Sequence, residues 1–153
     1  MTLDPNAFLS MTVDGANSTQ LALIEEGDYT AQIVSVETRK IDFRSGDRAG
    51  TSGISLDVTW EITDEEVRKK LGYTPKARQS MILDLTPSNG LDMGKNKNVN
   101  LGRLREALDQ NKDGQAWGPL MLKGCVAIIS IKHRTDKEDP AKVYAEVRGV
   151  KGL

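Results

Sequence analysis

Cysteine and histidine are almost missing from this chain of 153 residues, with Cys125 and His133 each standing alone. A single cysteine excludes an intramolecular disulfide, and one residue of each kind excludes every Cys/His zinc pattern. A reducing cytoplasm is therefore the expected setting. Long apolar runs are absent too. "LALI" (Leu21 to Ile24) and "CVAII" (Cys125 to Ile129) fall far below the ~18 residues of a membrane span, and no basic segment leads into an apolar one at the N-terminus. Neither a membrane segment nor an export signal is expected. Aromatic residues make up only 5% of the chain, which excludes a long stacking surface. The formal net charge is -1, and the lack of a basic excess argues at first against a nucleic-acid protein.

That average conceals an asymmetry. Residues 1–28 hold Asp4, Asp14, Glu25, Glu26 and Asp28 with no Lys or Arg, which leaves 17 acids against 21 bases in the other 125 residues. An acidic leader thus precedes a mildly basic body. The leader mixes small and polar residues with scattered apolar ones (Phe8, Leu9, Met11, Leu21, Leu23, Ile24), so residues 1–26 are read as an extended arm and residues 27–153 as one domain. With 38% hydrophobic and 28% charged residues, one soluble domain with a modest core is expected.

Strand patterns dominate that domain. "YTAQIVSVETRKI" is rich in β-favouring residues and is followed by the flexible "RSGDRAGTSG". In "ISLDVTWEIT", Ile54, Leu56, Val58, Trp60 and Ile62 alternate with polar residues, the period of a strand with one face buried. Thr63 followed by Glu66 fits a capping box for a short helix over Asp64 to Leu71, ended by Gly72 and Pro75. "ARQSMILDLT" reads as a third strand. Leu101, Leu104, Ala107 and Leu108 form one helical stripe, so a second helix is predicted over Leu101 to Gln110 with Arg103, Arg105, Glu106 and Asp109 off that stripe. Leu122 to Arg134 and "KVYAEVRGV" complete the sheet as a hairpin across "TDKEDPA". The predicted class is mostly β with two short helices. Three strands, a helix and a two-strand hairpin match the element order of a five-stranded OB-like barrel, with the helix between strands 3 and 4 and a β-sandwich as the rival.

Catalytic groups do not converge in this sequence. His133 has no second His or Cys to join it and is read as a surface residue; Cys125 is read as a small core residue. "GLDMGKNKN" fails as a P-loop, because three residues rather than four separate Gly90 from Gly94 and Asn96 rather than Ser or Thr follows Lys95. "DKEDP" lacks the spacing of a calcium loop. No enzymatic activity, metal or cofactor is expected.

Non-enzymatic binding of a polyanion is the chemistry left. Single-strand binders combine a cationic groove for the backbone with aromatic rings for the bases. The candidate cations are Arg39, Lys40, Arg44 and Arg48 around the first loop, Lys95, Lys97, Arg103 and Arg105 from the glycine-rich loop and helix, and Lys132, Arg134 and Lys142 around the last hairpin. "GKNKN" and the first turn of the following helix are read as able to meet phosphate through side chains and backbone N–H groups. Phe43, Trp117 and Tyr144 are the stacking candidates, whereas Trp60 shares a face with apolar residues and is assigned to the core.

"GDYTAQIVSVE", "LGRLREAL", "LKGCVAIISIKHR" and "VYAEVRGV" together resemble small phage-encoded, OB-like single-stranded-DNA-binding proteins, over about residues 27 to 150. The resemblance implies coating of single-stranded DNA during phage DNA replication or recombination, in the cytoplasm of an infected bacterial host, with phage replication proteins as partners. Such proteins often carry an acidic C-terminal tail; this chain ends "VRGVKGL" and is acidic at its N-terminus. An arm that folds over the basic face and competes with DNA is one reading of that difference. The other is self-association: an extended leader with apolar anchors suits a virion structural protein, a capsid or tail accessory subunit whose arm lies along its neighbour.

Overall fold

The computed structural model describes residues 3–153. A four-residue helix, α1 (Pro5–Phe8), lies in the arm, and five strands follow: β1 (Gly27–Asp42), β2 (Ser52–Ile62), β3 (Lys76–Ile82), β4 (Val126–Thr135) and β5 (Val143–Lys151). Two further helices, α2 (Glu65–Leu71) and α3 (Val99–Ala107), precede β3 and follow it respectively. The strands form one antiparallel sheet in the order β3-β2-β1-β4-β5. The class is therefore mostly β, and a single sheet replaces the two that a sandwich needs. No ladder joins the outer strands, β3 and β5, although they curve toward each other.

The alternation in β2 orders the core. Leu56, Val58, Trp60 and Ile62 are fully buried, and they meet Ala31 and Ile33 of β1 and Ala127, Ile129 and Ile131 of β4. Each such large apolar side chain stabilises the fold by roughly 1.5–3 kcal/mol. Trp60 belongs to this core, as expected, and its indole N–H donates to Gln79 Oε1 at 3.0 Å. The register of β1 on β2 slips at Val34, a bulge that bends the long first strand so that its start pairs with β4 and its remainder with β2. One feature of β2 departs from a half-buried strand: Ser55 and Asp57, on the other face, are also buried, because side chains from β1 and β3 close over them.

Local chemistry moves several expected boundaries. Asp64, not Thr63, caps α2: its carboxylate accepts from Glu66 N–H, while Thr63 still extends the sheet by donating its N–H to the Thr30 carbonyl. The helix ends at Gly72 in the left-handed conformation (φ 77°), as the sequence implies. α3 begins two residues early and stops at Ala107, because Asp109 turns left-handed (φ 57°). Its Leu101 and Leu104 lie on the core against β5. The fourth strand starts at Val126 rather than Leu122. Pro119–Leu122 form a turn of 3-10 helix, and Gly124 (φ 87°) swings the chain back so that its N–H reaches the Ile33 carbonyl.

The arm is exposed from Leu3 to Leu23, and only Ile24 is buried. Its attachment to the body begins at Ala22, whose carbonyl accepts from the Tyr73 hydroxyl. Among the described residues, no helix is long and apolar enough to cross a membrane.

Candidate nucleic-acid interface

Where β3 and β5 face each other without pairing, a cleft of about 780 Å³ opens, with α3 along one side. Four arginines line it: Arg78 from β3, Arg103 from α3, Arg134 from β4 and Arg148 from β5. Glu146 is the one acid among the lining residues. Its two carboxylate oxygens are taken by Arg134 Nε and, at 3.1 Å, by Arg148 Nε, so the acid holds two cationic groups in place without cancelling the charge of the lining. Arg103 is exposed and makes no ion pair among the described residues. Tyr144 stands in the same cleft, 39% exposed, with the Arg134 guanidinium 4.9 Å from its ring centroid.

Arg78 extends the charged surface away from the cleft. Its Nη2 donates at 2.7 Å to Asp57 Oδ2, and Arg39 Nε donates to the same oxygen at 2.9 Å. Ser55 Oγ donates to Asp57 Oδ1 at 2.8 Å. Burial alone would raise the Asp57 pKa, but the Ser80 and Ser55 hydroxyls and the two arginines outweigh it and hold the carboxyl at about 2.

The structure thus brings Arg103, Arg134 and Tyr144 together and adds Arg39 through Asp57. Lys132 is exposed on β4, Lys142 lies in the turn before β5, and Lys40 and Arg44 are exposed at the end of β1 and beyond it. Lys95 and Lys97 project from the 90–98 loop, which Asn98 fastens: its amide N–H₂ donates to the Asp84 and Asp92 carbonyls, both at 2.9 Å, and its Oδ1 accepts from Asp84 N–H at 2.8 Å. Arg48 and Phe43 sit elsewhere, in a smaller pocket of about 210 Å³ with Lys97, Asp84 and Asp92. There Arg48 pairs with Asp84 at 2.7 Å and lies 5.4 Å over the Phe43 ring, while the ring packs so closely on Gly53 that a Cβ would come within 2.8 Å of it. The Asn98 N–H and Arg48 lower the Asp84 pKa, and the pocket's two acids match its two bases.

Arg105 is the residue whose position differs most from expectation. It lies off the leucine stripe and yet is only 7% exposed, because Trp117 folds back over the end of α3. The guanidinium carbon lies 4.4 Å from the ring centroid, Nε donates to the Gln110 carbonyl at 3.2 Å, and the indole N–H donates to Gln110 Oε1 at 2.9 Å. These contacts turn both side chains toward the protein interior.

Arg78 and Arg148 are not among the residues that the sequence singles out, although a signal for both is present. Lys76, Arg78 and Ser80 alternate with Ala77 and Met81, and Tyr144, Glu146 and Arg148 share the other period of β5. Each set therefore lies on one face of an edge strand. No protein-family model matches the chain, and no curated protein matches it.

Proposed function

We propose that the protein binds single-stranded DNA, largely independently of sequence and without catalysis, and that it serves phage DNA replication or recombination. The observation that carries the reading is the cleft between β3 and β5, where four arginines and one exposed tyrosine converge around a single glutamate. Cations along a groove neutralise phosphates and release counterions, and an exposed ring supplies a stacking surface that any base can use. The small number of exposed aromatics suits tolerance of sequence better than its discrimination. We read the fold as an OB-like barrel left open between its third and fifth strands, and the strand order and the place of α3 support this.

Fluorescence anisotropy of a labelled ~30-nucleotide oligo(dT), titrated at about 50 and 200 mM salt beside duplex and RNA controls, tests the reading. Preferential binding of the single strand, weakening steeply with salt, is the expected result. Absence of binding at the lower salt removes it.

The arm favours a second reading, a virion structural subunit. Leu3, Phe8, Leu9, Met11, Val13 and Leu21 are 53–92% exposed on a segment that a neighbouring subunit could cover. Stable association with purified particles, or sedimentation as a large assembly without nucleic acid, distinguishes it from the first.

A further inference from the structure

The Asp57 side chain points to the outer face of β2, where solvent would be expected, yet it is only 4% exposed. Arg39 from β1 and Arg78 from β3 reach over it from either side and donate to the same oxygen, Oδ2. Each guanidinium makes no other hydrogen bond among the described residues, so each uses one nitrogen on Asp57 and keeps its remaining side-chain N–H donors free. Their side chains remain 54% and 58% exposed.

Two guanidiniums at one carboxylate oxygen repel each other and leave one positive charge uncompensated. A single anion with two outward oxygens, such as a phosphodiester, would relieve both the repulsion and the excess charge, and planar guanidinium forks match that geometry. Asp57 Oδ1 is taken by Ser55, which fixes the carboxylate and therefore the direction of both arginines.

We infer that Arg39 and Arg78 form a clamp for one phosphodiester, with Asp57 as the residue that positions both. This rests on the proposed binding of single-stranded DNA. Because Arg78 also lines the cleft, the clamp lies at its lip and carries the track of the strand across β3 toward β1.

The shared phosphate has a measurable signature in Arg39→Ala, Arg78→Ala and the double variant. The slope of log K against log salt falls by about 0.7 for each phosphate of a single strand that the protein no longer neutralises. Either single variant is expected to lower the slope by about 0.7, and the double variant by the same about 0.7, because only one phosphate is released. Two independently bound phosphates would lower the slope of the double variant by about 1.4 and overturn the clamp, as would an unchanged slope in either single variant. Since these variants leave Asp57 with fewer partners, a second measurement uses the wild-type protein. In it, the side-chain Nε–H resonances of Arg39 and Arg78 are followed by NMR during titration with inorganic phosphate. Both should shift along one common curve; two different curves, or no shift, overturn the clamp. If oligo(dT) fails to bind while phosphate moves both signals, the proposed function falls and the anion clamp stands.

Discussion

The Arg134 guanidinium lies over the ring of Tyr144, 4.9 Å from its centroid, while Glu146 on the same strand as the tyrosine holds Arg134 by its Nε. An oriented cation and an aromatic face are thereby combined at the cleft, the two elements that backbone and base recognition require. Tyr144→Ala is expected to weaken oligo(dT) binding by about 1–3 kcal/mol, as the loss of one stacked base would. Tyr144→Phe should retain nearly all the affinity, because the hydroxyl makes only a long contact, 3.4 Å, with Asp136. Anisotropy titrations of the two variants check this. Equal losses would assign the effect to the hydroxyl instead of the ring.

Arg103 offers the plainest electrostatic test. Exposed at the cleft and free of ion pairs among the described residues, it has little structural work to lose. Arg103→Ala should leave the stability in urea within about 0.5 kcal/mol of wild type and lower the salt slope by about 0.7. An unchanged slope would place the phosphate path elsewhere.

Asp57 predicts the acid limb of the stability curve. Its pKa is lowered from 3.8 to about 2 in the folded protein. A depressed folded value means that the unfolded chain binds the proton more readily. The contribution is therefore complete above the unfolded pKa and is lost as pH falls through the folded one. It amounts to about 2 kcal/mol, fading between about pH 5 and pH 2. Urea denaturation across that range should show Asp57→Asn less stable at neutral pH and flatter on the acid side by about that amount. Parallel acid limbs would assign the wild-type slope to other carboxylates.

Trp117 is expected to matter for folding and little for binding. Half-buried and hydrogen-bonded to Gln110, it covers Arg105 at the end of α3. Trp117→Ala should cost about 2 kcal/mol, somewhat less than truncation of a fully buried aromatic, with oligo(dT) affinity unchanged for the folded fraction. A large loss of affinity with native stability would return Trp117 to the interface.

How far the sequence reaches differs from element to element, and for physical reasons. The alternation of Leu56, Val58, Trp60 and Ile62 is local and strong, so β2 and its buried tryptophan are legible. The burial of Asp57 is not, because it depends on Arg39 and Arg78 arriving from two other strands. Arg105 looks like a surface residue on a helical projection, and only the return of the chain at Trp117 buries it. The cleft is likewise a property of two edge strands that stay unpaired, and periodicity along one strand carries no information about the gap between two.

The arm gives the last test. Of the five acids in residues 1–28, Glu25 pairs with Lys70 at 3.0 Å, Glu26 accepts the His133 N–H at 2.8 Å, and Asp28 accepts from Ser130 Oγ at 2.6 Å. None of the three reaches a cleft arginine, which leaves Asp4 and Asp14 as the only acids on the exposed stretch. Competition with DNA through charge is correspondingly weak. Deletion of residues 1–21 keeps the anchored base and removes the six exposed apolar side chains, so oligo(dT) affinity at low salt should change by less than about twofold, since the weak charges involved are surface ones. Concentration-dependent sedimentation of the full chain should disappear in the deletion, because the apolar area that drives association is gone. Marked tightening on DNA would restore the competing arm. Identical sedimentation of the two proteins would remove the arm from assembly.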